Sequence, residues 1–212
     1  MSNRRKIINL IVASAIFGAL ATILYCVPFL QFSLPFVPPF LKIHFEELPI
    51  MVAGYSFGPL VAFITIIISH GFKLIQDIPE TGGIGVLADV IYTCALVLPA
   101  AFYYKFNRNL KGAVIGGVIG LFSQLIFSSV IGLYTIFPLY GFFYFPQAKN
   151  YFEAMEKIGA LFTPLDNSIT SATNPKIMYE FLLPFNLLKD SLVIVMTFII
   201  YKPLKALIER KR

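Results

Sequence analysis

Charged residues and cysteines are scarce in this chain, and each shortage excludes a class of protein. Only 13% of the 212 residues are charged and 58% are hydrophobic, which is too apolar for an ordinary soluble domain. The two cysteines, Cys26 and Cys94, lie in apolar segments without metal-ligand or redox spacing, so we interpret them as small buried hydrophobic residues. No nucleotide-binding motif is present, so any work driven by ATP must come from partner proteins.

Long apolar segments dominate the rest of the sequence. A membrane-spanning helix needs about 20 mainly apolar residues. We predict an all-α integral membrane protein that forms a single membrane domain over residues 1–212. Its six transmembrane helices are expected at residues 7–29, 48–57, 60–76, 86–104, 112–138 and 184–201. The first apolar run is too long for a signal peptide and lacks a cleavage site, so we interpret it as a retained helix.

Basic residues set the predicted orientation. They form three clusters: Arg4/Arg5/Lys6, Lys105/Arg108/Lys111 and Lys202/Lys205/Arg210/Lys211/Arg212. If the chain turns at Gly58-Pro59, all three lie on one side of the membrane, whereas a single kinked span would separate them. The positive-inside rule favours the turn, with both termini cytoplasmic in the plasma membrane of a prokaryote. The outer loops are then 30–47, 77–85 and 139–183, the last with a short amphipathic helix near 148–161.

Small residues repeat along two of the predicted helices. Ala15, Gly18 and Ala19 form such a stripe on the first helix, and Gly112, Gly116 and Gly120 form one on the fifth. Small residues four apart allow helices to approach closely in lipid. The stripe on the fifth helix predicts internal packing. For the first helix, internal packing and docking of a separate membrane partner both remain open.

Polar side chains lie towards the outer ends of the last four helices, although ionisable groups are costly at membrane depth. These residues are Lys73, Asp89, Gln124, Asn186, Lys189 and Asp190. Helical spacing places Asn186 on one face with Lys189 and Asp190. Together they predict a small-molecule pocket open to the outside and capped by loops. In the alternative reading, Lys189 only extends to the water interface and pairs with Asp190.

Two other functions fit the pattern less well. An integral-membrane enzyme could use Asp89, His70 and Lys189, but the sequence shows no paired nucleophile and base and no metal cluster. A self-contained transporter would need a polar route to the cytoplasmic half and often an inverted repeat, and neither is evident.

Four segments in chain order carry a resemblance to a known family. They are Pro39-Phe40-Leu41-Lys42-Ile43-His44-Phe45-Glu46-Glu47-Leu48-Pro49, Thr81-Gly82-Gly83-Ile84-Gly85-Val86-Leu87-Ala88-Asp89, Phe137-Pro138-Leu139-Tyr140 and Pro184-Phe185-Asn186-Leu187-Leu188-Lys189. The chain resembles the substrate-binding S components of energy-coupling factor (ECF) vitamin transporters. The resemblance implies a six-helix protein that binds a vitamin from outside, without a resident cofactor. It also implies a membrane scaffold subunit, two cytoplasmic ATPases and docking through Ala15, Gly18 and Ala19.

Within that family the chain is most similar to the riboflavin-binding branch. There the Pro-Phe-Asn-x-x-Lys motif implies flavin hydrogen bonds from Asn186 and Lys189. The same resemblance places Phe40, Leu41, Lys42, Gly83 and Tyr140 among the expected substrate-binding residues, beside Lys73, Asp89 and Gln124. Riboflavin binders tend to carry an Asn six residues before Pro-x-Tyr, where this chain has Gly132. Pantothenate or another small vitamin therefore remains the alternative ligand, with Lys189 or Lys73 pairing with its carboxylate.

Overall fold

The computed structural model describes residues 3–33, 42–162, 164–171, 173–174 and 176–209. Helices account for most of them, as the apolar segments predict. Five stretches are long and apolar enough to cross a membrane: Ile7–Cys26, Pro59–Thr81, Ile84–Phe106, Leu110–Tyr144 and Tyr179–Ile200. Many of their large apolar side chains are exposed on the outside of the bundle, as expected for a surface that faces lipid.

The described elements follow one another in this order. They are α1 (Asn3–Cys26), a 3-10 turn (Pro28–Leu30), β1 (Phe32–Ser33), β2 (Lys42–Ile43), α2 (Glu47–Phe57), α3 (Pro59–Thr81), α4 (Ile84–Phe106), α5 (Leu110–Ile131), a π-helical segment (Gly132–Ile136), α6 (Phe137–Tyr144), α7 (Tyr151–Gly159), a second π-helical segment (Ile177–Leu182) and α8 (Leu183–Glu209). The strands β1 and β2 pair antiparallel, with Phe32 opposite Ile43.

The chain reverses direction between α2 and α3, as the basic clusters predict. Gly58 has a φ of 103°, which favours glycine, and its N–H donates to the carbonyl of Gly54. A Cβ atom on Gly54 would lie 3.2 Å from the Cβ of Ala62, eight residues later. Residues eight apart in a continuous helix would be about 12 Å apart along its axis. The two helices therefore fold against each other rather than forming one kinked helix.

Glycine allows α5 to lie directly against α4. A Cβ atom on Gly116 would lie 2.8 Å from the carbonyl oxygen of Ala100, and one on Gly120 would lie 2.1 Å from that of Leu96. Neither position has room for a side chain, which confirms the predicted packing stripe. The helices α5 and α8 also approach closely at Gly117, where a Cβ would lie 3.2 Å from the side chain of Ile194.

Several predicted boundaries change in the structure. The expected outer loop 77–85 is mostly helical, because α3 ends at Thr81 and α4 begins at Ile84. Only Gly82 and Gly83 turn the chain, with φ values of 68° and 85°. The expected helix 112–138 continues to Tyr144 through the first π-helical segment. The long loop contains α7, shorter than predicted, and becomes helical again at Ile177.

The two larger hydrophobic clusters among the described residues hold most of the helices together. One joins α2, α3, α4 and α5 and includes Ile50, Ile66, Leu96 and Ala113. The other joins α6 and α7 to the second π-helical segment and α8. Because α7 packs on α6, the long loop covers one end of the helix bundle rather than extending into solvent.

Candidate functional site

A cavity of about 480 Å³ lies at one end of the helix bundle, within the size range of small-molecule sites. Side chains from α1, α3, α4, α5, α6 and α8 line it, together with Lys42 and His44 from the β2 region. The predicted pocket therefore exists, and it lies where the polar residues at the helix ends indicate.

An amide, a hydroxyl and an ammonium group form one end of this cavity. Asn186 donates from Nδ2 to Oγ of Ser128 on α5, over 3.1 Å. Lys189, one turn further along α8, donates to Oε1 of Glu47 over 2.5 Å. Asn186 and Lys189 are only 6% and 5% exposed, and both line the cavity. The predicted shared face of these two residues is confirmed, while the partner of Lys189 is Glu47 rather than Asp190.

A buried ionic network adjoins this polar end. Asp89 accepts a hydrogen bond from the hydroxyl of Tyr25 and lies 3.5 Å from Nε2 of His44, whose Nδ1 pairs with Glu46. Burial alone would lower the pKa of His44, but the carboxylates of Glu46 and Asp89 outweigh it and raise that pKa to about 10. Burial likewise opposes the charge on Glu46, and the adjacent His44 holds the pKa of Glu46 below its usual range.

Aromatic side chains form a wall of the cavity. Phe137, Tyr140 and Tyr144 come from α6, and Phe145 follows directly. The rings of Tyr140 and Tyr144 are parallel within 6°, with centroids 5.7 Å apart. Flat aromatic surfaces of this kind suit a planar ring system.

Charged side chains surround the mouth of the cavity. Lys42 on β2 lies 3.8 Å from Glu80 near the end of α3, and both side chains are well exposed. Lys73 extends over the ring of Tyr25, with its Nζ 5.3 Å from the ring centre. Asp77 lies deeper, where it accepts hydrogen bonds from the hydroxyl of Thr81 and the backbone N–H of Val86.

The structure brings most of the sequence-predicted site residues together. Those that line the cavity are Lys42, Lys73, Asp89, Tyr140, Asn186 and Lys189. Gln124 does not line it, because this fully buried side chain lies one turn below Ser128 on α5. Gly83 shapes the turn between α3 and α4. Phe40 and Leu41 lie outside the described residues.

Sequence reasoning missed Tyr25, His44, Tyr92 and Glu47. Tyr25 ends a lipid-facing helix, and Tyr92 follows Asp89 by three residues, a spacing that indicates a shared face. His44 and Glu47 occur in a segment of alternating apolar and polar residues. This pattern does not reveal which of the polar side chains point into the protein interior. Only the position of Tyr92 could have been inferred from spacing.

His44, Glu46 and Glu47 also form the one group in the described part of the chain with metal-ligand spacing. Their ligand atoms lie within 4.8 Å of one another. However, Glu46 already pairs with His44, and Glu47 pairs with Lys189. The cationic side chains of the protein thus neutralise much of the negative charge in this group.

The small residues of α1 divide between two environments. Ala15 and Ala19 are exposed on the outside of the bundle. Gly18 is buried against α3, where an added Cβ would lie 2.8 Å from Ile68. Gly18 therefore serves internal packing, while Ala15 and Ala19 remain accessible to a membrane partner.

Comparison with known proteins agrees with this geometry. The family model described as "ECF transporter, substrate-specific component" matches residues 9–201. The chain is 26% identical over 208 residues to the riboflavin transporter FmnP of Bacillus subtilis, covering 98% of this chain and 97% of the relative. It is 22% identical over 192 residues to the riboflavin transporter RibU of Staphylococcus aureus, covering 90% and 89%. A solved structure, described as the S component of a bacterial ECF transporter, shares the fold with a TM-score of 0.68 at 20% identity, covering 94% of this chain and 97% of that one.

Proposed function

Since the chain belongs to the family of substrate-specific components of ECF transporters, we propose that it binds riboflavin at the cavity described above. The chain is a binding component of a transporter rather than an enzyme. Relatives named riboflavin transporters support the choice of ligand. The observation that carries it is the combination of an aromatic wall on α6 with the polar end formed by Asn186 and Lys189.

The charge balance of the cavity favours an uncharged ligand such as riboflavin over pantothenate. Four cationic groups line it, the ammonium groups of Lys42, Lys73 and Lys189 and the imidazolium of His44, together with three carboxylates, those of Asp77, Glu80 and Asp89. Lys189 is already paired with Glu47, and His44 is already paired with Glu46. An anionic ligand would therefore meet no surplus positive charge, whereas a neutral polar edge can hydrogen-bond to Asn186 and Lys189.

We place the cavity on the outer side of a plasma membrane. Tyr25, Asp89, Ser128 and Asn186 lie at helix ends opposite to those that carry the basic clusters. Positive residues concentrate on the cytoplasmic side, so the cavity would open outwards. In this arrangement the chain crosses the membrane with six helices, counting α2, and has both termini in the cytoplasm.

Transport by this chain would need further subunits. We propose a membrane scaffold subunit that contacts Ala15 and Ala19, together with two cytoplasmic ATPases. Vitamin binding would then need no ATP, and uptake would need the ATPases, because the chain carries no nucleotide-binding motif. Riboflavin acts here as the transported ligand, and the proposal includes no resident cofactor.

Purified protein tests this function directly. Riboflavin titrated into the detergent-solubilised chain should lose its fluorescence in a saturable way, and co-purified flavin should colour the preparation yellow. Excess pantothenate should not displace the bound riboflavin. If wild-type protein quenches no flavin fluorescence but binds radiolabelled pantothenate, the ligand is wrong. Uptake by the chain alone, in sealed vesicles with an ion gradient and no ATPases, would contradict the proposed division of labour.

A further inference from the structure

Tyr92 lies at the polar end of the cavity and belongs to none of the four segments that carry the family resemblance. It lies on α4, three residues after Asp89, and its half-buried ring packs against the hydrophobic cluster that joins α6 and α7 to α8. Next to its hydroxyl, Gly132 begins the first π-helical segment. A Cβ atom on Gly132 would lie 3.0 Å from the hydroxyl oxygen of Tyr92. The Tyr92 hydroxyl thus takes up the space that a side chain at position 132 would need.

This hydroxyl has no hydrogen-bond partner among the described residues. Other tyrosines in the helix bundle are satisfied by the protein: Tyr25 donates to Asp89, and Tyr55 donates to the carbonyl oxygen of Ala113 over 3.0 Å. Tyrosine hydroxyls in a protein interior usually find such a partner. Because Tyr92 lines the cavity, a group within the cavity can supply the one it lacks.

The surroundings of Tyr92 indicate that its partner is the polar edge of a ligand bound in the cavity. Asp89 and Lys189 both act electrostatically on its hydroxyl. Ser128, the hydrogen-bond acceptor of Asn186, lies one helical turn before Gly132. The Tyr92 hydroxyl, the Asn186 amide and the Lys189 ammonium therefore collect at one end of the cavity. A ligand whose polar edge contacts Asn186 and Lys189 brings that edge to Tyr92 as well.

We propose that Tyr92 is a specificity-determining residue, whose hydroxyl hydrogen-bonds the polar edge of the ligand's fused ring in the room left by Gly132. The inference rests on the proposed function, since it takes the ligand to be a flavin. It adds a reciprocal constraint: a side chain at position 132 would exclude the Tyr92 hydroxyl from its present position and displace it by a few tenths of an ångström. The contact with the ligand beside position 132 then comes from Tyr92 on α4 rather than from a side chain at position 132 itself.

Replacing Tyr92 by Phe tests the hydroxyl without removing the ring. A net hydrogen bond contributes about 0.5–1.5 kcal/mol, so Tyr92→Phe should weaken riboflavin binding about two- to twelvefold. Tyr134→Phe is the matched control, because Tyr134 is 70% exposed and does not line the cavity. The Tyr134→Phe variant should bind riboflavin with the same affinity as wild type. Lumiflavin, which keeps the ring and lacks the ribityl chain, should show the same fold loss with Tyr92→Phe.

A double-variant cycle tests the proposed exclusion. Gly132→Asn should weaken riboflavin binding when Tyr92 is present, because the added Cβ would lie 3.0 Å from the Tyr92 hydroxyl oxygen and displace it. The same change should cost much less in the Tyr92→Ala background, where the space is free. If the two effects simply multiply, positions 92 and 132 are not coupled and the exclusion is wrong.

The outcomes separate this inference from the proposed function. If wild-type protein fails to bind riboflavin, the proposed function fails. If wild type binds and Tyr92→Phe binds equally well, only the role of Tyr92 is overturned. A loss seen with riboflavin but not with lumiflavin would assign the hydroxyl to the ribityl chain and overturn the contact with the ring.

Discussion

Lys189 and Glu47 form an ion pair of 2.5 Å although 142 residues separate them in the chain. The pair joins the start of α2 to the N-terminal part of α8, and both side chains are almost completely buried. Lys189 also lines the cavity. This one ammonium group therefore has both a structural partner and access to a ligand.

The first prediction separates these two roles of Lys189. Lys189→Met should lower the free energy of unfolding by about 3 kcal/mol, because it leaves Glu47 buried without its partner. The double variant Lys189→Met/Glu47→Gln should recover most of that stability. Riboflavin affinity should stay at least tenfold below wild type in both variants, since the ligand loses a charged donor. Thermal unfolding and fluorescence quenching in detergent measure the two quantities.

Lys42 provides the control for Lys189 within the same cavity. Its ion pair with Glu80 is 3.8 Å long and solvent-exposed, and such pairs contribute little. Lys42→Ala should change affinity less than threefold. If the double variant at positions 189 and 47 binds riboflavin as tightly as wild type, then Lys189 serves the fold only.

The second prediction concerns assembly through α1. Ala15→Leu/Ala19→Leu should prevent co-purification with the scaffold subunit, because the added side chains stand on the outer surface and block close helix approach. Riboflavin binding by the isolated chain should remain normal. Ile16→Leu is the control, because it changes a side chain on the same exposed surface without adding volume. Normal assembly of the double variant would remove this surface from the interface.

Gly18 should behave differently from its two neighbours in the motif. A Cβ atom at this position would lie 2.8 Å from Ile68, so Gly18→Leu would overpack the contact between α1 and α3. We expect a lower unfolding temperature in the isolated chain, before any partner is added. An unchanged unfolding temperature would contradict the internal role of Gly18.

The third prediction is a pH dependence that arises from His44 and Glu46. The pKa of His44 rises from 6.5 to about 10 on folding, so its contribution to stability is complete below pH 6.5 and is lost as pH rises through 10. The pKa of Glu46 falls from 4.5, so its contribution is present above pH 4.5 and is lost as pH falls through its folded value. The pair should therefore stabilise the ligand-free protein most between about pH 4.5 and 6.5.

His44→Gln tests this dependence. The variant leaves Glu46 without its cationic partner, so it should unfold at a much lower temperature than wild type near pH 6. Asp89, Tyr25 and His70 also surround His44 and are unchanged in both proteins. The gap in unfolding temperature should narrow steadily towards pH 10. A gap that is constant across this range would show that His44 is not protonated in the folded protein.

The fourth prediction concerns the buried carboxyl group of Asp190. Asp190 is fully buried, and neither of its carboxyl oxygens has a hydrogen-bond partner among the described residues. A buried group without hydrogen bonds is unfavourable, and a charged one more so. Asp190→Asn should therefore leave the unfolding temperature unchanged or raise it by a few degrees. A marked loss of stability would show that Asp190 has a partner that the hydrogen-bond geometry does not reveal.

A surface carboxylate supplies the comparison for Asp190. Asp166 accepts hydrogen bonds from Lys176 over 2.9 Å and from the backbone N–H of Ser168 over 2.8 Å. Asp166→Asn should therefore lower stability slightly, in the opposite direction to Asp190→Asn. Thermal unfolding of both variants in the same detergent gives the comparison.

Local patterns in the sequence were sufficient for much of the architecture. The turn at Gly58 follows from where the basic clusters must lie, and the shared face of Asn186 and Lys189 follows from helical spacing. The packing role of Gly116 and Gly120 follows from their spacing alone. Each of these features depends on residues within a few helical turns of each other, or on a charge rule that applies to the whole chain. Information of this kind can be read from the sequence without knowing how the helices pack against one another.

Only the tertiary structure decided which partners these residues have. Helical periodicity predicts a face but not the element that covers it, so Gly18 could have faced a partner subunit as easily as Ile68. Pairing of Lys189 with Glu47, rather than with the adjacent Asp190, depends on where α2 begins relative to α8. The space shared by Tyr92 and Gly132 depends on the close contact that glycine permits between α4 and α5. These choices belong to the packing of distant segments, because burial and electrostatic compensation are properties of the assembled bundle.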